Sequence, residues 1–264
     1  MKALKIFDEV YNKEELEKNF SRREAMTKGL SFGIKAALAA IPLGLLETKS
    51  NKVYASPPPT TTVVDILNFA LTLEYLEASF YTMGLGTANL IPTSDVTIFK
   101  QISKHETAHV ALLKQTITSL GGMPVAMPNF DFTAKGAFAD VFSNYMTFLA
   151  LSNAFEDTGV RAYKGQAAGL MGSGAVLTAA LDIHSVEARH ASEVRRLRGL
   201  KGWISNAEAN GLPAAIYAGE DNTVEGGVDV TTITNTPKVS ITEAFDETLT
   251  MAQVLAIATP FIKA

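Results

Sequence analysis

The sequence predicts an all-α protein built on a four-helix bundle of two antiparallel hairpins, one long crossover and a C-terminal extension. Three observations carry that prediction. Four long stretches repeat apolar residues at steps of three and four, the period of a helix that buries one face. Gly-rich breaks separate them. A glutamate stands inside each of the four apolar seams, and two of the seams add a histidine three residues later.

The first helix is expected over Val63–Met83, with Thr62 and Asp65 spaced as a capping box and Gly84 as its stop. The second is expected over Ser94–Leu120 and ends at Gly121-Gly122, and the third over Gly136–Lys164. The fourth is expected over Ala175–Arg198, with Ser173 as N-cap and Gly199 beyond its end. A fifth helix is expected over Ile241–Ile262. Gly202–Lys238, rich in Gly, Thr and Asn, reads as an irregular excursion with room for a short hairpin. Short connections make helices one and two, and three and four, antiparallel neighbours. The link 121–135 reaches about 50 Å when extended, longer than a helix of about 36 Å. It can therefore run the length of the bundle and give an up-down-down-up order.

Ahead of the bundle, residues 1–55 read as an export leader, and 56–61 as a Pro/Thr linker that brings the chain to the bundle at 62–199; 200–264 form the extension. The leader has a polar start, Arg22-Arg23, an apolar run from Leu30 to Leu46 and Val53-Tyr54-Ala55 as a small-residue cleavage signal. The paired arginines resemble a twin-arginine signal, which implies periplasmic or extracellular delivery of folded cargo. The apolar run contains Lys35 and Pro42 and is marginal for spanning a bilayer, so no membrane span is expected after cleavage.

Composition narrows the chemistry. The 264 residues include no cysteine, which excludes disulfides, thiolate zinc sites, cysteine-ligated iron–sulfur clusters and thiol nucleophiles. Any metal must be held by His and carboxylates. Residues 1–55 hold 10 of the 23 Lys+Arg and 7 of the 27 Asp+Glu, leaving 13 basic against 20 acidic residues beyond them. A body of net charge −7 is a poor nucleic-acid binder.

The seams carry the functional signal. Glu74 and Glu77 lie between Ala70 and Tyr81 on the first helix, and Glu106 and His109 between Ile102 and Leu113 on the second. Glu156 lies between Leu149 and Tyr163 on the third, and Glu187 and His190 between Ile183 and Val194 on the fourth. Burying one isolated carboxylate costs several kcal/mol. Four together repel and take up protons unless cations join them. Two divalent ions supply four positive charges, and i, i+3 spacing sends Glu and His from one helical face to the same place. Hard carboxylate with some imidazole suits iron or manganese.

An internal repeat supports this. Residues 73–81 (LEYLEASFY) align without gaps on 155–163 (FEDTGVRAY), and 105–109 (HETAH) on 186–190 (VEARH). The repeat pairs Glu74 with Glu156 and leaves Glu77 opposite Gly159, so Glu74 is the primary ligand choice and Glu77 an extra one.

With FALTLEYLEASFY (69–81), HETAHVALL (105–113), NAFEDTGVRAY (153–163) and VEARHASEVRRLRG (186–199), the chain resembles the ferritin-like superfamily, and within it the desiccation-related and bacterial exported members. The resemblance implies a ferritin-like bundle holding two Fe or two Mn ions through Glu74, Glu106, His109, Glu156, Glu187 and His190, with Glu106 and Glu187 as bridges. It places Tyr81 and Tyr163 beside the metals as candidate catalytic tyrosines. It implies an oxidoreductase that takes O2 or peroxide, of the ferroxidase or manganese-catalase kind, in oxidative-stress protection. The metal ions and a small oxidant are then the partners, and self-association into a homo-oligomer stays open. A non-catalytic metal-binding or desiccation-stress protein uses the same residues. A third reading takes His105-Glu106-x-x-His109 as the HExxH helix of a zinc protease. It lacks a third ligand, and the repeat has Val186 where His105 stands, so His105 reads as a surface residue or outer neighbour. His184 reads as structural or exposed, and Arg195, Arg196 and Arg198 as charges favouring a helix C-terminus.

Overall fold

The computed structural model of the protein describes residues 61–263; the leader and most of the linker lie outside the described residues. Four long helices form the bundle: α1 (Val63–Gly86), α2 (Val96–Ser119), α3 (Tyr145–Gln166) and α4 (Gly174–Leu197). Thr62 and Asp65 close the capping box on α1: each backbone N–H donates to the other's side chain, at 2.9 and 3.1 Å. Ser173 precedes α4 without a side-chain cap. Gly199, at φ +73°, ends α4 with bonds from its own N–H to Arg196 and from Leu200 N–H to Arg195. That left-handed turn is one that glycine adopts freely.

Side-chain pairs fix the directions. Tyr81 reaches Glu156 and Tyr163 reaches Glu74, so α1 and α3 are antiparallel. His109 meets Glu74 and Glu187, while His190 meets Glu106 and Glu156. The order is up-down-down-up, and the segment 120–144 makes the long crossover.

The third helix starts nine residues later than its periodicity suggests. Ala134, Lys135 and Gly136 all have positive φ (46°, 59° and 94°), a run that no right-handed helix accommodates. Asp131 holds the turn by accepting from Thr133 and Lys135 N–H. Asn144 then caps α3 by accepting from Met146 N–H at 3.0 Å.

The expected fifth helix is two short ones, α5 (Lys238–Thr242) and α6 (Met251–Ala258), with a non-helical stretch between. That stretch spends its backbone on α3 instead of on itself. Leu249 N–H donates to Arg161 O at 3.2 Å, Arg161 Nε donates to Glu247 O at 2.9 Å, and Lys164 Nζ donates to Asp246 O. Gly165 permits the approach, because a Cβ there would stand 2.0 Å from Leu249 O. A Thr250–Gln253 capping box then restarts the helix. Within the excursion, β1 (Val224–Glu225) and β2 (Val228–Asp229) form a two-stranded hairpin turning at Gly226-Gly227.

Two apolar clusters close the bundle above and below its middle. One stacks Phe80 on Phe148 at 4.8 Å and sets Phe155, Phe99 and Phe132 around them. The other gathers Ile66, Leu71, Leu113, Ile117, Leu170 and Ile183. A third cluster seats Ile204, Leu212, Ile216 and Tyr217 of the extension against Ala150 and Ala154. Helix α3 is consequently buried around its whole circumference from Thr147 to Tyr163. No helix among the described residues is long and apolar enough to cross a membrane.

Candidate metal centre

Between the two inner apolar clusters the four seams deliver their polar residues to one place. Glu74, Glu106, Glu156 and Glu187 are fully buried, and His109 and His190 nearly so. His109 Nδ1 lies 3.2 Å from carboxylate oxygens of Glu74, Glu106 and Glu187. His190 Nδ1 lies 2.8 Å from Glu106 Oε1 and 3.4 Å from Glu156 Oε2. The six residues fall into two groups, each with one atom per residue lying within 4.8 Å of all the others: Glu74, Glu106, His109 and Glu187, and Glu106, Glu156, Glu187 and His190. Oxygen and nitrogen ligands at about 2.0–2.4 Å from one divalent ion span no more than that. Each group can therefore hold a metal ion. The two groups share Glu106 and Glu187, so these two carboxylates would serve both candidate positions.

The distribution of hydrogen bonds fits such ions. On the outer side the ligands are tied down: Tyr81 Oη donates to Glu156 Oε1, Tyr163 Oη donates to Glu74 Oε1, and His190 Nε2 is hydrogen-bonded to His105. On the inner side Glu106 Oε1, Glu156 Oε2, both oxygens of Glu187 and His190 Nδ1 are buried without a hydrogen bond. His190 Nδ1 and Glu106 Oε1 are 2.8 Å apart and still lack hydrogen-bond geometry. Buried polar atoms are almost always paired. Atoms that converge without pairing are free to serve as ligands to a cation.

The two tyrosines obey the repeat. Each is donated by one hairpin to the glutamate of the other and is fully or almost fully buried. Burial, and then the charge of the glutamate it touches, pushes each phenol well above its ordinary range, so both remain protonated. Glu77 is buried but joins neither group. Its Oε1 would be 3.2 Å from a Cβ on Gly159, and Glu187 Oε2 would be 3.1 Å from it. The repeat has glycine opposite Glu77 because two carboxylates already fill that space.

His105 does not act as the first histidine of a zinc-protease helix. It joins neither ligand group: its Nδ1 lies 2.8 Å from His190 Nε2, and its Nε2 is bonded to Gln101. The HExxH reading is thus corrected by both ring nitrogens being engaged elsewhere. His184 is half-buried and also stands outside both groups.

Sequence reasoning missed a second polar layer on the outer face of α3. Asp157 accepts from Arg195 Nη1 at 2.8 Å, Tyr217 Oη at 2.7 Å and Asn153 Nδ2 at 2.6 Å. Arg198 Nη1 donates to Asn153 Oδ1 and its Nη2 to Asn210 O. Arg195 and Arg198 therefore clasp α3 and the extension rather than only facing a helix terminus. The signal available was Asp157 beside Glu156, an acid off the seam that would need its own buried partner.

Without ions the site binds protons. Burial raises Glu74 to about 8 and lifts Glu187 and Glu77 well above the carboxylate range, with neighbouring carboxylates adding to the effect. Burial also raises Glu106, but the hydrogen bond with His109 and the imidazole of His190 beside it outweigh burial and bring it down to about 2. Burial alone would lower the imidazoles; instead the surrounding glutamates push His109 up to about 12 and His190 to about 11. The raised carboxyls bind protons that the unfolded chain has released above about 4.5, so metal-free stability falls as pH rises from there through 8. The raised histidines contribute in full below about 6.5 and lose their contribution as pH climbs toward 11. Glu106 acts in the opposite sense only below about 4.5. Bound cations would replace these protons. Differential scanning calorimetry of metal-free and Mn(II)-loaded protein will show a melting-temperature gap that widens from pH 5 to pH 8. A gap that narrows over that interval contradicts this electrostatic account.

No curated protein matches the chain. The family model of the ferritin-like domain matches residues 62–200, a span of more than half the chain that runs from the cap of α1 to just past the end of α4 and contains every residue of the two groups. On that match, with the bundle and its buried Glu/His groups in place, the chain belongs to the ferritin-like domain family.

Proposed function

We propose that this protein holds two iron or two manganese ions between α1, α2, α3 and α4 and reacts with O2 or peroxide, oxidising ferrous iron or removing oxidants. The observation that carries the proposal is the set of buried inner atoms without hydrogen bonds, in two groups that share Glu106 and Glu187. Two adjacent redox-active ions would supply the electrons that reduce the oxidant.

The chain's own residues do the rest. Glu106 and Glu187 hold the two positions together, and Glu74 with His109 and Glu156 with His190 complete them separately. Tyr81 and Tyr163 fix the outer oxygens of Glu156 and Glu74, leaving the inner oxygens free to turn toward an ion. Each phenol keeps its proton at the edge of the centre, which is where a catalytic tyrosine would have to hold one. The apolar clusters at the two ends keep bulk water from the four fully buried glutamates. The leader, with Arg22-Arg23, the Leu30–Leu46 run and Val53-Tyr54-Ala55, supports export to the periplasm or cell exterior.

Anaerobic loading with Fe(II) followed by admission of air tests the reading. It predicts two irons per chain, ferric absorption in the near ultraviolet, and oxidation of added Fe(II) beyond two equivalents. Two irons that stay ferrous in air would replace oxidation with sequestration as the role of the same site. A parallel arm loads Mn(II) and measures O2 release from peroxide.

A further inference from the structure

The repeat makes the two halves of the centre alike in their ligands, but not in what stands behind their histidines. His190 turns Nδ1 toward Glu106 and Glu156 and is held from behind through Nε2 by His105 Nδ1 at 2.8 Å. The two rings are nearly parallel, 11° apart with centroids separated by 5.1 Å. His105 is held in turn through Nε2 by Gln101. His109 also turns Nδ1 inward, yet among the described residues its Nε2 has no hydrogen bond. In the repeat, the residue equivalent to His105 is Val186, which offers neither donor nor acceptor.

A ligand that binds an ion through Nδ1 must carry its proton on Nε2. For His190 that proton is donated to His105 Nδ1, which leaves the proton of His105 on Nε2; the Gln101 amide, whose Nε2 is placed 2.5 Å away, accepts that proton once its interchangeable oxygen and nitrogen are turned so that Oε1 faces the ring. The chain Gln101–His105–His190 thus selects the binding tautomer and fixes the ring plane. An outer partner of this kind also makes the ligating nitrogen a better donor, and losing one typically weakens metal affinity about 10–100-fold. Resting on the two-ion reading above, we propose that His105 is a positioning residue that makes the His190-side position bind its ion more tightly than the His109-side position, so that the two ions load in a fixed order.

Anaerobic calorimetric titration of the full chain with Fe(II) tests this. Wild-type protein is expected to bind two ions in two steps whose dissociation constants differ about 10–100-fold. His105→Val, which copies the other half of the repeat, is expected to weaken the first step to match the second. His105→Asn, whose side-chain oxygen can stand where Nδ1 does, is expected to restore the difference. Mössbauer spectra at one iron per chain supply a second readout: one dominant ferrous environment in wild type and Asn variant, two in the Val variant. A wild-type protein that binds two ions with equal affinity, or a His105→Val variant that keeps two distinct steps, overturns the proposal and leaves the two-ion reading standing. A wild-type protein that binds no Fe(II) overturns both.

Discussion

Glu106→Ala abolishes binding at both metal positions, whereas Glu74→Ala removes one. The contrast follows from Glu106 belonging to both ligand groups and Glu74 to only one. Each ion held at a hundredfold excess over its dissociation constant adds about 2.7 kcal/mol of stability. Wild type therefore gains about 5 kcal/mol from two ions, Glu74→Ala about half of that, and Glu106→Ala essentially none. Chemical denaturation with and without added Mn(II) reads all three values. A Glu106→Ala protein stabilised by Mn(II) as strongly as wild type would show that the shared carboxylates do not organise the centre. Metal-free Glu106→Ala still loses the carboxylate that His109 and His190 hold ionised, so its own baseline, not that of wild type, is the reference.

Arg161→Ala destabilises the protein by about 3–5 kcal/mol, the usual consequence of removing one member of a buried ion pair. Arg161 is fully buried on α3 and stands 2.8 Å from the carboxylate of Glu220 in the extension. It also donates to the backbone carbonyls of Ile216, Ala218 and Glu247. Truncation strands the three carbonyls beneath the extension and leaves Glu220 without its counter-charge, with only the Glu247 N–H still donating to it, and each buried unsatisfied group carries a penalty of about 1–3 kcal/mol. Urea unfolding measures the loss, and limited proteolysis is expected to cut the 212–250 region first. The double variant Arg161→Met/Glu220→Leu recovers part of the stability by replacing the pair with apolar groups. An Arg161→Ala loss below about 1 kcal/mol would mean that the extension is held by its apolar contacts alone.

The two predictions separate what the sequence makes legible from what it hides. The bundle and the six converging residues are readable because helical periodicity converts spacing directly into position: Glu106 and His109, or Glu187 and His190, leave one face wherever the helix runs. Anions in an apolar seam announce themselves for the same reason. The start of α3 is hidden because its delay comes from three consecutive left-handed residues, of which only Gly136 advertises that conformation. The break after α5 is hidden because the 243–250 backbone is bonded to Arg161 and Lys164, residues more than 80 positions away. Asp157 and Arg161, four apart on α3, look like a solvated pair until the extension covers both. His105 has the same ambiguity in milder form: its role depends on a neighbour 85 residues on, with no periodicity to mark it.

The central claim is that this bundle is assembled around cations. Native mass spectrometry of the full chain, purified without chelator and supplied with Fe(II) anaerobically, measures it directly. The account predicts a mass increase equal to two metal ions per chain, removed by chelator together with a fall in melting temperature. A folded protein that takes up none, and melts at the same temperature whether or not chelator is present, would contradict it.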